Sequence, residues 1–280
     1  MNVRLDADGS GANLTPFVVH HDGGFVPSEI AQGNWGPTLG GQVVGGLLAR
    51  AVERMVEDPQ LQPARLTVEI LRRVATKALS VEATVTRTGR RMRAVSAVMT
   101  QDGQLVARAS SLYLRRGHQP DGPFWSTPLS MPPIPDSDER VDERLPMFIC
   151  AYGSNPDPTA GGHPWAHDGP RYAWIRETRD LVGGEALTPF VRAAMAADVT
   201  SSMTNFNRAG LSFINADFTL TLSRLPDGPF LGLAALTHYS DAGVATGTAT
   251  VLDHRGPIGS NISTAIANYD FANGKFKVDL

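Results

Sequence analysis

Asp198 is the carboxylate whose surroundings in this sequence best suit chemistry. It stands in Met195-Ala196-Ala197-Asp198-Val199-Thr200, the lone charge in a stretch running from Ala193 to Asn207. Burying a carboxylate in apolar company is costly without polar partners, and functional sites are where that cost is commonly met. The competing reading is structural, a carboxylate satisfied by Thr200, Ser201 or Ser202. A second group is Gly36-Pro37-Thr38-Leu39-Gly40-Gly41-Gln42-Val43-Val44-Gly45-Gly46. Gly40 and Gly41 fall where a helix begins, and bare amides there can face a carbonyl oxygen or a phosphate. Gly45 and Gly46 suit close packing of that helix against a sheet.

Other reactive residues are less well placed. Cys150, the single cysteine, follows Pro146-Met147-Phe148-Ile149 without a histidine nearby and reads as a packed thiol in an apolar-then-loop stretch. His163 and His167 flank Pro164 in a glycine-rich segment with no third ligand evident, so no metal site is expected. The chain has no G-x-S-x-G elbow and no phosphate-binding or dinucleotide glycine pattern. The arginines 72, 73, 90, 91, 93, 115 and 116 cluster at strand ends as a solvated rim, and one or two suit phosphate.

The elements that must position these residues come in two sets. Residues 39–56 place Val43, Val44, Leu47, Leu48, Ala51, Val52 and Met55 on a helical face. Thr188-Pro189 starts a second helix that continues over 190–203. Strand-like runs follow each helix, at 66–73, 78–88, 93–100 and 105–114, then at 217–222, 230–239, 244–252 and 258–267. Asp102-Gly103 is a hairpin signal. Arg73 aligns with Arg224 and Gly103 with Gly256, an offset that fits two copies of one domain. The expected class is α+β, an antiparallel sheet wrapped around a long buried helix, twice over. The divisions are 1–117, a linker and irregular segment at 118–170, and 171–280. The linker carries seven prolines between His118 and Pro146 and the acidic run Asp136-Ser137-Asp138-Glu139. One unit alone leaves an edge strand open, so the two copies should pair with each other.

Bulk properties narrow the function. With 280 residues, 42% apolar and 19% charged, the chain is an ordinary globular one. A net charge of -3 offers no basic surplus for nucleic acid or an anionic membrane. The N-terminus lacks a signal-peptide core, and no apolar run approaches the roughly eighteen residues of a membrane span. The expectation is a cytoplasmic protein acting on a small molecule, without a cofactor.

The run Gly40-Gly41-Gln42-Val43-Val44-Gly45 ahead of a buried helix resembles the start of acyl-CoA thioesterase II, the TesB-like branch of double hotdog thioesterases. Ala197-Asp198-Val199 and Ala216-Asp217-Phe218 continue the resemblance, which covers about residues 25–269 without the linker. It implies hydrolysis of fatty acyl-CoA to free acid and CoA. It also implies an attacking water held by an Asp of the second helix and by Thr/Ser and Gln side chains. Carried over, the Asp is Asp198 and the Thr position holds Asn215. The Gln position, eight residues after Gly256, holds Thr264. Asn215 and Thr264 both carry donors and acceptors for a water, or they mark a branch with altered chemistry. Gly40, Gly41 and Gln42 become the substrate-binding residues. Two rivals stand beside this reading. A hydratase on the same fold lacks its histidine in either helix, and an acyl-group binding protein without turnover would fit the missing glutamine. A homodimer formed through free sheet edges or helix faces is expected.

Overall fold

Alternating apolar residues along 61–70 and 213–222 each need a buried face, and the chain supplies it with two helices. The computed structural model describes residues 2–3, 14–135, 141–153, 165 and 167–268. Its main sheet is antiparallel. The strands are β1 (Leu61–Ile70), β2 (Ser80–Thr88), β3 (Met92–Gln101), β4 (Gln104–Arg115) and β5 (Met147–Tyr152). The remainder are β6 (Arg171–Glu177), β7 (Phe213–Leu222), β8 (Leu231–Asp241), β9 (Val244–Asp253) and β10 (Gly256–Ala267). The helices are α1 (Gly41–Glu53) and α2 (Pro189–Asn205).

The spatial order is β2-β3-β4-β1-β7-β10-β9-β8-β6-β5. The order β2-β3-β4-β1 is mirrored by β8-β9-β10-β7, so the duplication read from the sequence is a structural one. The copies join edge to edge at β1 and β7, with Thr67 opposite Thr219. This is the double hotdog architecture expected above. Asp102 and Gly103 both have positive φ (48° and 73°), as the hairpin reading requires.

Both helices lie on one face of the sheet and run antiparallel to each other. Gly45 of α1 approaches α2 so closely that a Cβ there would meet Ala194 O at 3.4 Å and Phe218 Cζ of β7 at 2.7 Å. At Gly46 a Cβ would meet Met195 Cγ at 2.8 Å. The two glycines therefore let α1 press on its sister helix as well as on the sheet. At the far end Thr188 Oγ1 donates to Glu53 Oε2 at 2.7 Å, tying the start of α2 to the end of α1.

Several boundaries differ from the sequence reading. α1 begins at Gly41, because Leu39 N–H donates to Val74 O and Gly40 is extended (ψ 142°). β1 ends at Ile70, so Arg72 and Arg73 follow the strand and do not end it. Residues 147–152, placed within the linker and irregular segment, form β5 and pair with β6, Cys150 lying opposite Trp174. The Arg176 guanidinium sits over the Phe148 and Phe230 rings at 5.6 and 4.9 Å, which anchors this strand. The linker also packs on the second unit, where Trp174 Nε1 donates to Pro132 O at 2.8 Å. The acidic run 136–139 and His163 lie outside the described residues. Among the described residues no helix is long and apolar enough to cross a membrane.

Candidate active site

The first turn of α1 brings the Gln42 amide to Asp198 on α2. Asp198 Oδ1 accepts from Asn215 Nδ2 at 2.8 Å, and the carboxylate also accepts the backbone N–H of Gln42. Gly41 lies flat against the group, where a Cβ would fall 2.5 Å from Asp198 Cγ. Only glycine fits there. Three elements thus meet at one carboxylate: α1 through Gly41 and Gln42, α2 through Asp198, and β7 through Asn215.

Burial is the largest influence on this carboxyl and pushes its pKa up to about 6, against the Asn215 and Gln42 hydrogen bonds that lower it. A carboxylate with a pKa near 6 is ionised at neutral pH yet basic enough to take a proton from water. The structural alternative of satisfaction by Thr200, Ser201 or Ser202 is not what is found, since the partners come from β7 and α1.

The amides of the α1 start divide their work. Gly40 N–H donates to Ala31 O at 2.9 Å, and Gln42 N–H is taken by Asp198. Gly41 N–H has no partner among the described residues. Gly40 N–H is therefore already taken, whereas Gly41 N–H is not. The Gln42 side chain folds back over Gly40, where a Cβ would meet Gln42 Cδ at 2.7 Å.

Asn215 reaches Asp198 because of a β-bulge. Phe218, Leu220 and Leu222 of β7 are buried toward the helices, a phase that would turn residue 215 outward. The register shifts between Asn215 and Asp217, leaving Ala216 as the extra residue and turning Asn215 inward.

Thr264 is not brought to Asp198, which corrects its placement among the site residues. It is exposed on the outer face of β10, and its backbone N–H and Oγ1 donate to Asp217 Oδ1 at 2.7 and 2.6 Å. Strand alternation is the reason: Asn261, Ser263 and Ala265 face the helices and 264 faces away. The inward neighbour of Asn215 on β10 is Ala265. Two residues the sequence reading missed lie on this inner face. Asn261 Nδ2 donates to Ala197 O at 2.8 Å and holds the turn of α2 that presents Asp198. Ser263 is buried, and its Oγ has no hydrogen-bond partner among the described residues. Period-two alternation along 258–265 is the signal that points to both.

The remaining candidates stay apart. Cys150 Sγ is half-buried and 3.4 Å from Tyr152 Oη in β5. His167 Nδ1 accepts from Gly169 N–H at 3.1 Å. Among the described residues no three metal-ligating side chains gather.

A long antiparallel sheet wrapped on two central helices, with a carboxylate held between them, defines a double hotdog protein. Residues 31–114 match the model of the acyl-CoA thioesterase N-terminal domain, and residues 128–266 match that of the C-terminal domain. The chain belongs to the acyl-CoA thioesterase family. Among solved structures it is similar to a putative thioesterase II from Thermobifida fusca, with 16% identity, a TM-score of 0.66, and coverage of 96% of this chain and 100% of that one. The tesB protein of Mycobacterium avium subspecies paratuberculosis is 14% identical with a TM-score of 0.64, covering 91% of this chain and 95% of its own. A hot dog fold protein from Alicyclobacillus acidocaldarius is 16% identical with a TM-score of 0.63, over 94% and 97% of the two chains. No curated protein matches.

Proposed function

We propose that the protein hydrolyses the thioester of fatty acyl-CoA, with Asp198 as general base. Asp198 takes a proton from a water whose oxygen adds to the thioester carbonyl. The Gly41 amide receives the developing oxyanion. Collapse of the tetrahedral intermediate expels the CoA sulfur, to which protonated Asp198 returns the proton, leaving free acid and CoA. Asn215 positions the carboxylate, and Gln42 helps through its backbone N–H. Losing a single oxyanion donor typically costs about 10²–10³ in rate. The observation that carries this reading is the close approach of a carboxylate raised to about 6 and an amide without a partner among the described residues.

Thr264 has no part in the reaction on this reading. The domains divide at 1–117, 118–170 and 171–280, with β5 belonging by its pairing to the second unit. The protein works in the cytoplasm, needs no resident cofactor, and associates as a homodimer. A second reading, an acyl-CoA binding protein without turnover, is favoured by one observation: Ala265, not glutamine, faces Asn215 across the strands.

The test is thiol release from a chain-length series of acyl-CoA, comparing wild type with Asp198→Asn. Turnover that falls by about 10² or more in a folded variant supports the hydrolase and its base. Acyl-CoA that binds without turnover in the wild type replaces it with the binding protein. Turnover indifferent to the substitution keeps the enzyme and removes Asp198.

A further inference from the structure

Ser263 holds a buried polar group to which the hydrolysis described above gives no task. It is 1% exposed, and its Oγ has no hydrogen-bond partner among the described residues. Its carbonyl is answered, since Thr246 Oγ1 donates to Ser263 O at 3.0 Å, and the hydroxyl is not. A buried hydroxyl without a partner is costly, and such a group calls for a reason. A partner that arrives with the reaction supplies one.

Both inner-face neighbours of Ser263 on β10 lead to Asp198. Asn261, two residues back, donates from Nδ2 to O of Ala197, the residue before the carboxylate, at 2.8 Å. Ala265, two residues on, lies opposite Asn215, which donates to Asp198 Oδ1 at 2.8 Å. Successive residues on one face of a strand are about 6.8 Å apart. Ser263 therefore stands midway between the two attachments of the Asp198 turn. It does not bond the carboxylate itself, whose partners are Asn215 and the Gln42 amide. Ala265 and its cross-strand neighbour Ala245 have no polar side-chain atom to offer there. Thr200 Oγ1 is also buried and without a partner among the described residues. However, Thr200 lies two residues beyond Asp198, about 200° round the helix, and so on its other side.

We infer that Ser263 is a further catalytic residue of this hydrolysis, its Oγ accepting one hydrogen of the attacking water while Asp198 accepts the other. The assignment rests on Asp198 as general base. As the carbon–oxygen bond forms, the first hydrogen moves to Asp198 as a proton. The second stays on the oxygen and remains bonded to Ser263 Oγ. Two fixed hydrogens leave a lone pair aimed at the thioester carbon. Ser263 forms no covalent bond, so the proton and the CoA sulfur leave as described above. Asn215 orients the base and Ser263 orients the water.

Thiol release from acyl-CoA, with a thermal melt of each protein, tests this in the wild type, Asp198→Asn, Ser263→Ala and Thr200→Val. Ser263→Ala should lower kcat and kcat/KM together by about 10- to 100-fold, with KM within about twofold of wild type. Its melting temperature should hold or rise, because an unpartnered buried hydroxyl is removed, whereas a structural role would lower it. The rising limb of its pH profile should keep the wild-type position, since Ser263 does not touch the carboxylate. Thr200→Val removes the other unpartnered hydroxyl and should keep kcat within about twofold. Turnover unchanged in Ser263→Ala but lost in Asp198→Asn overturns the role of Ser263 and keeps the hydrolase. An equal fall in Thr200→Val, or a fall that tracks a lowered melting temperature, also overturns it, by making the effect one of packing. So does an acyl group found on Ser263 by mass spectrometry of the quenched enzyme, which would make it a nucleophile. A wild type without turnover removes the hydrolase and the role of Ser263 together.

Discussion

The two helices come from equivalent places in a duplicated chain, yet their starts are built differently. α2 opens with Thr188, whose side chain accepts from Val191 N–H at 3.1 Å, and Pro189 follows at the first turn. α1 opens with Gly40, which offers no side-chain cap. A capped start satisfies its own amides and contributes stability. A bare start leaves amides for something else, here Asp198 and the proposed oxyanion. The carboxylate sits on the capped helix and the Gly41 and Gln42 amides on the bare one, so each copy supplies half of the proposed site.

The largest effect should come from Gly41→Ala. Its Cβ would overlap the Asp198 carboxylate and disturb both the base and its neighbouring amide. Activity toward acyl-CoA per folded molecule should fall by about 10²–10³, measured by thiol release alongside circular dichroism. Thermal stability should fall as well, because backbone or helix must shift.

Asp198→Asn should move stability the other way. The folded pKa, about 6, exceeds the ordinary 3.8. Between those values the folded protein holds a proton that the unfolded chain has released, so stability declines as pH rises through the window, and the full cost is present above it. The gap corresponds to about 3 kcal/mol at most. Asparagine keeps one oxygen, which can accept from Asn215 as Oδ1 of Asp198 does. Denaturant unfolding should therefore show a gain of about 1–3 kcal/mol at pH 8, shrinking as pH falls below 6 and vanishing near the ordinary carboxyl pKa.

Removing the cap of the other helix sharpens the contrast. Thr188→Ala should cost about 1 kcal/mol of stability, read by chemical denaturation, and leave turnover within about twofold of wild type. The smallest effect is expected for Thr264→Val, which removes an outer-face hydroxyl bonded to Asp217. Its kcat and KM should match those of the wild type, a net hydrogen bond being worth about 1 kcal/mol of stability.

Much of this arrangement can be read from the residues. Thr188-Pro189 announces a helix start, Asp102-Gly103 a hairpin, and the repeated order of helix and strands a double fold. Asp198 stands out because no other charge lies between Ala193 and Asn207. What escapes is phase. A bulge at Ala216 reverses which side chains of β7 face inward, and nothing local in Ile214-Asn215-Ala216-Asp217 declares it. Counting from Gly256 lands on Thr264, one residue from the inward Ser263 and Ala265, and one residue in a strand is the whole difference between core and surface. β5 escapes for another reason. Its apolar residues follow a proline-rich linker, and its place depends on pairing with β6 and on Arg176 stacked against Phe148, which are tertiary facts. Neither does the sequence distinguish Gly40 from Gly41; that choice depends on Ala31 accepting the first amide.

The central claim is that Asp198, held between the two copies, is the base. The most direct measurement is the pH dependence of kcat/KM for acyl-CoA hydrolysis in the wild type and in Asn215→Ala. The wild-type profile should rise with a single ionisation near pH 6, the value to which burial pushes Asp198. Asn215→Ala removes a hydrogen bond that lowers that pKa, so the rising limb should move to higher pH. A profile flat from pH 5 to 8, or a limb that stays in place when Asn215 is removed, would contradict the account.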